Sequence, residues 1–218
     1  MTFRLLIVAG ALLLSGCSSA YYGAMEKMGV PKRQILVDRV QAARGAQADA
    51  KQQFTSALEQ FLSVAKVPPS ELKATHDRLQ DELKRSEARA KDVRARIEAI
   101  DSVAQALFAE WNEELVQYNN PALRSQSERQ LAATKRRYGE LMRVMDAAAA
   151  RMDPVLTAFR DQVLFLKHNL NAQAIASLDG TTRDLRQDIA RLVADMEKSI
   201  READAFIQAM QAGAPAPR

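Results

Sequence analysis

Apolar residues recur at alternating spacings of three and four along almost the whole chain, from Leu36 to Met210, and that pattern leaves few folds open. A seam of this period is the face of a helix packed lengthwise against other helices. No stretch alternates apolar and polar residues with a period of two, so no strand is expected. Ala, Leu, Gln, Glu, Arg and Lys dominate between the breaks, and all are good helix formers. The fold class expected is all-α: an elongated antiparallel helical bundle, or coiled coil, of four long helices.

Prolines and one glycine punctuate the seams. Pro31 opens a helix over about 31–66, with the seam Leu36, Val40, Ala43, Gln47, Ala50, Phe54, Ala57, Phe61 and Val64. Pro68 and Pro69 end it, and Ser70 is a suitable N-cap for a second helix over about 71–118. Its seam runs from Leu72 through His76, Leu83, Ile97 and Trp111 to Tyr118. A third helix, about 121–177, starts at Pro121 or at a capping pair Ser125 and Glu128, and its seam Leu131, Thr134, Tyr138, Leu141, Met145, Ala148, Met152, Val155, Phe159 and Leu166, drifting toward Leu170, passes through Pro154 without a phase jump. One long kinked helix is expected there, at a local cost of about 3 kcal/mol. Gly180 reads as its stop, and Thr181 with Asp184 as the cap of a fourth helix over about 182–210. The fourth seam is Leu185, Ile189, Leu192, Met196, Ile200, Ala203, Ile207 and Met210. Residues 211–218, with Pro215 and Pro217, read as a disordered tail.

Ahead of the bundle, Arg4 precedes an apolar run from Leu5 to Leu14, followed by Leu14-Ser15-Gly16-Cys17. The run is about ten residues, half of the roughly twenty that span a bilayer. Charge, short apolar core, small residues and cysteine, in that order, mark a bacterial lipoprotein signal. Residues 1–16 are then a signal peptide, Cys17 carries the acyl groups (palmitate or a similar chain), and 17–30 are anchor and linker. Similarity to other lipoprotein signals, in which an aspartate after the cysteine favours the inner membrane, makes Ser18 imply the periplasmic face of the outer membrane. Loss of Arg4 lowers the net charge from +4 to +3, a mild excess that does not point to nucleic acid.

Short turns make neighbouring helices antiparallel. Folding the second helix on the third then leaves four helices overlapping only near Pro68-Pro69, and a bare two-helix hairpin from about Phe108 to Ala133. This tip carries Phe108, Trp111, Tyr118, Asn119, Asn120 and Pro121, with Arg124, Arg129, Lys135, Arg136 and Arg137 just beyond. Its aromatics either pack across the hairpin or against a second copy, or face the membrane with the cations on headgroups. Chemistry is sparse. The two histidines, His76 and His168, have no metal-ligand spacing, and no phosphate loop or nucleophile elbow is present. No catalytic residue, metal or cofactor is expected.

The segment Tyr21-Tyr22-Gly23-Ala24-Met25-Glu26-Lys27-Met28-Gly29-Val30-Pro31-Lys32-Arg33, with Ile35 to Val40 after it, resembles the opening of domain-of-unknown-function family 2959. Met196 to Asp204 is similar to that family's ending. The resemblance implies a bacterial envelope-associated helical protein and supplies no functional residues. Heptads do not explain the opening block, so Tyr21, Tyr22, Lys32 and Arg33 either dock on the bundle or a partner, or form an ordered linker. The function expected is a lipid-anchored, non-catalytic scaffold or adaptor of the envelope, with a protein partner or self-association through helical surfaces. The alternatives are a bundle that opens to bury acyl chains around Met145, Met152 and Met196, or an enzyme acting on peptidoglycan or polysaccharide.

Overall fold

A computed structural model describes residues 16–64, 68–169 and 172–212. All regular structure among them is helical: α1 (Gly16–Lys27), α2 (Lys32–Ser63), a short 3-10 turn (Pro69–Glu71), α3 (Leu72–Leu115), α4 (Pro121–His168) and α5 (Ala172–Ala212). The protein is all-α.

Each long helix packs on two others: α3 and α5 flank α2, and the same two flank α4. Ion pairs across the contacts give the directions. Arg33 donates to the Met210 carbonyl at 2.6 Å, Arg44 pairs with Asp204 at 2.7 Å and Lys51 with Glu197 at 3.3 Å, so residue numbers rise in α2 as they fall in α5. Arg160 on Glu87 and Arg94 on Asp153, both at 2.5 Å, run α3 against α4 in the same sense. The interior is closed by the first and last long helices meeting along their lengths.

The expected seams line that interior. Every seam position of α2 from Leu36 to Val64 is buried, as are Ile97, Ile100 and Ala104 on α3 and Leu141, Met145, Met152 and Phe159 on α4. Burying each large apolar side chain contributes about 1.5–3 kcal/mol, which is why tertiary packing rather than helix propensity holds helices of this length. In α5 the structure differs. Ser199 and Phe206 are buried, and Ile200 and Ile207 sit half-exposed beside them. The inner face is therefore 192, 196, 199, 203, 206 and 210, a clean four-three repeat. Choosing the most apolar residue at each turn misses it, because the polar Ser199 holds an interior place.

The boundaries also differ. α4 runs unbroken through Pro154 and ends at His168, not near 177. Asn169 closes it by donating from Nδ2 to the Phe165 carbonyl, one of the acceptors a helix end leaves open. α5 then starts at Ala172 and continues through Gly180, which is a helix-interior residue rather than a stop. A glycine inside a helix costs about 1 kcal/mol, and a helix this long tolerates it. Ser70 lies in the 3-10 turn and does not cap α3. The ten extra residues of α5 lengthen it by roughly 15 Å. Four helices consequently overlap up to the level of Glu110, where Lys32 meets Glu110 and Arg33 meets Met210, and the two-helix overhang is shorter than the sequence suggests.

Six polar side chains are buried among the described residues, and two of them stand without partners in the core. Gln47 and Ser199 are both fully buried between the Arg44–Asp204 and Lys51–Glu197 pairs. Gln47 Oε1 and Nε2 and Ser199 Oγ have no hydrogen-bond partner among the described residues. A buried unpaired polar group costs about 1–3 kcal/mol. Replacement Gln47→Leu, close in volume, is expected to raise the free energy of unfolding by that order, read from urea denaturation. The helix-interior Gly45 and Gly139 have open space where a Cβ would project. Changes Gly45→Ala and Gly139→Ala should each stabilise by about 0.5–1 kcal/mol in the same assay.

Candidate functional site

The end of the bundle at the α3–α4 turn gathers most of the chain's singular residues. Asn120 caps α4: its Oδ1 accepts from the amides of Ala122 at 2.9 Å and Leu123 at 3.2 Å, and Pro121 occupies the first turn, where no donor is needed. Asn119 is exposed beside it. Phe108 is buried and meets Tyr138 edge-on with ring centres 5.4 Å apart, while Lys135 Nζ lies 5.6 Å from the Phe108 ring centre. Trp111 donates from Nε1 to Ser127 Oγ at 2.8 Å, across the hairpin. The overhang is thus not bare, because its rings pack between α3 and α4 with Leu115 and Leu131. Tyr118, 41% exposed, stays outside with Val116 and Leu123.

The N-terminal block lies on the same half of the molecule. Residues 17–27, read from sequence as linker, are helical in α1. α1 ends in a paired-bond turn: the Gly29 amide donates to the Glu26 carbonyl at 2.8 Å, and Val30 to Met25 at 3.0 Å. Gly29 has φ +82°, open to glycine at little cost. Pro31 then precedes α2, so the chain reverses within four residues. The signal was legible: glycine, an apolar residue and proline after a run of helix formers are a stop and a restart.

Side chains fix α1 to the bundle. Tyr22 is buried, and its hydroxyl lies 3.0 Å from Ser102 Oγ. Met25 and Val30 pack against the core. Lys32 Nζ sits 2.7 Å from Glu26 and 3.0 Å from Glu110, joining α1, α2 and α3. The Lys32 hydrogen bond lowers the Glu26 carboxyl below its usual range, whereas burial, with Glu26 beside it, raises Glu110. Burial acts to lower the Lys32 ammonium, but the two glutamates outweigh it and Lys32 is raised. Arg33, half-buried, is lowered by burial and holds the last turn of α5 through the Met210 carbonyl. Tyr21 is 45% exposed and leans edge-on against Tyr22. Cys17 and Gly16 belong to the first turn of α1, and Leu14 and Ser15 lie outside the described residues.

A groove of about 490 Å³ opens between α3 and α4, lined by Ile97, Glu98, Asp101, Tyr138, Met142 and Asp146. Sequence reading missed it, since each residue there is ordinary in its own helix. Tyr138 Oη donates to Asp101 Oδ1 at 2.5 Å. Burial, then the hydrogen bond to Asp101 and its charge, push the Tyr138 phenol upward, and burial with the charge of Asp101 raises the Asp146 carboxyl. Among the described residues no group of three or more His, Cys, Asp and Glu is placed to hold a metal ion, and no helix is long and apolar enough to cross a membrane. Met145, Met152 and Met196 are fully buried in the core.

These features define a helical protein whose N-terminal helix is clamped to the side of a long helical core. Residues 21–210 match the family described as protein of unknown function (DUF2959), and the chain belongs to that family. The matched span opens at Tyr21, beside the buried Tyr22, and closes at Met210, the acceptor of Arg33. No curated protein and no solved structure matches the chain.

Tyr138 yields a pH prediction. Its folded pKa lies above the unfolded value of about 10, so the neutral phenol is favoured by folding. That contribution is complete below the unfolded value and is lost as pH rises through the folded one. Phenolate absorbance should show one of the four tyrosines titrating late, and Asp101→Asn should move that tyrosine back toward the ordinary range.

Proposed function

We propose that this protein is a lipid-anchored, non-catalytic scaffold or adaptor on the periplasmic face of the bacterial outer membrane, built as an elongated antiparallel bundle of four helices. The observation that carries the reading is the solid interior: side chains fill it from Leu36 at one end of α2 to Leu166 near the end of α4. A core packed along its length makes a stiff spacer, and the charged outer faces latch neighbouring helices through pairs such as Arg89 with Asp49. The Leu14-Ser15-Gly16-Cys17 box supplies the attachment, with Ser18 after it. A filled core also favours a spacer over a container for acyl chains, since opening it exposes Met145, Met152 and Met196 together. Among the exposed apolar side chains, Val116, Tyr118 and Leu123 at the overhang offer a surface to a protein partner or a second copy.

Labelled palmitate fed to cells making the full chain should appear on the wild type and vanish from Cys17→Ser. The substituted chain should also leave the outer-membrane fraction. An N-terminal peptide of the wild type whose mass carries no acyl group would refute the anchor.

A further inference from the structure

α1 has two faces with different tasks. Tyr22 and Met25 point to the bundle and pack there. Tyr21, Ala24 and Met28 follow one another at three and four residues and are exposed, Met28 at 77% and Tyr21 at 45%, with Lys27 exposed beside them. The same spacing carried back one turn reaches residue 17, at the start of α1. The lipid-attachment position and the outer apolar stripe therefore share one register on one helix, docked from Tyr22 onward.

We infer that the outer face of α1 is a membrane-contacting surface that lies in the lipid headgroup layer and holds the bundle side-on to the bilayer; this rests on acylation of Cys17 as proposed above. A tyrosine and a methionine beside a lysine suit the boundary between headgroups and acyl chains, where aromatic rings and cations collect. Lipid chains bind most stably with a second, protein-borne contact, and this stripe begins where the chain would be attached. The orientation follows from the docking. Tyr22 meets Ser102 and Glu26 approaches Glu110 through Lys32, so α1 runs parallel to α3, along the bundle. Residue 17 is set back from the level of Ser102, and the overhang at Val116 lies forward of it. At 1.5 Å per residue the two are separated by roughly 30 Å along the axis. With α1 docked, inserting the overhang end-on would lift the attachment point far out of the lipid, whereas side-on contact keeps Cys17, Tyr21 and Met28 at one depth. The clamp residues Tyr22, Lys32 and Glu110 thereby set the angle between bundle and membrane.

The test is quenching of tryptophan fluorescence by brominated lipids. The full lipidated chain, carrying Trp111→Phe to remove its own tryptophan, is reconstituted into phosphatidylethanolamine–phosphatidylglycerol vesicles. Tyr21→Trp, Met28→Trp and Leu123→Trp are added singly, and mass spectrometry of the N-terminal peptide reports acylation in each sample. The expected result is a blue shift and quenching for Tyr21→Trp and Met28→Trp, strongest with bromines about 5–10 Å below the headgroup boundary, and no quenching for Leu123→Trp. Met28 is exposed in a turn, so Met28→Trp keeps the test open if Tyr21→Trp folds poorly. Quenching at Leu123→Trp alone would mean end-on contact and overturn the inference. Acylated chains with no quenching at either α1 position would overturn it while leaving the anchor intact. A chain without acyl groups would remove the anchor and this inference with it.

Discussion

The pairing of α2 with α5 is the contact on which the rest of the structure depends. The sequential pairs α2–α3, α3–α4 and α4–α5 form an open row, and only α2 on α5 closes it. Phe54, Met145 and Met196, on three different helices, are fully buried where the first long helix lies along the last. The contact is long-range: Arg33 meets Met210 and Arg44 meets Asp204. Ion pairs of that kind, about four-tenths exposed at Arg44 and Asp204, contribute modestly. The apolar seam supplies the stabilisation, and the charges set which turn of α2 faces which turn of α5.

Gln47 and Ser199 bear on the same question of alignment. A heptad interface of alanine, leucine and methionine tolerates a slip by one repeat at little cost in buried area, because the layers resemble one another. A buried polar residue at one place makes the layers unequal, and in coiled coils that is how register is specified, at some cost in stability. Gln47 stands among the buried Ala43, Ala46 and Ala50, and Ser199 is buried on the facing helix. Stability is conceded in one layer, and alignment along the whole pair is what that layer can specify.

At the other level of organisation, Lys32 joins three helices through two carboxylates of different character. Glu26 is lowered by the Lys32 hydrogen bond, and Glu110 is raised by burial. With Tyr22 on Ser102, this converts what looks like a tether into part of the folded body. The positive φ at Gly29 allows the chain to reverse between α1 and α2.

Helical class, the seam of α2, most of the seams of α3 and α4, the continuity through Pro154 and the turn at Asn120-Pro121 were all readable from the chain, because each rests on interactions within about one heptad. The cap at Asn120, the proline at the first turn and the three-four repeat are local physics. What escaped sequence reading depended on comparison between distant segments. Gly180 is a plausible stop by itself, but the helix runs through it and the reversal falls at Asn169 instead. Ile200 is more apolar than Ser199, but the inward face of α5 is decided by where α2 and α4 lie. Phe108 and Trp111 look exposed on a hairpin, yet Tyr138 and Ser127, one helix away, cover them. The Tyr138–Asp101 groove and the Lys32 cluster join residues 37 to 78 positions apart, which no short motif announces. The chain by itself determined that it would be helical and which residues prefer the interior; tertiary structure alone decided which helices touch and in what alignment, because burial is shared among partners that local sequence does not name.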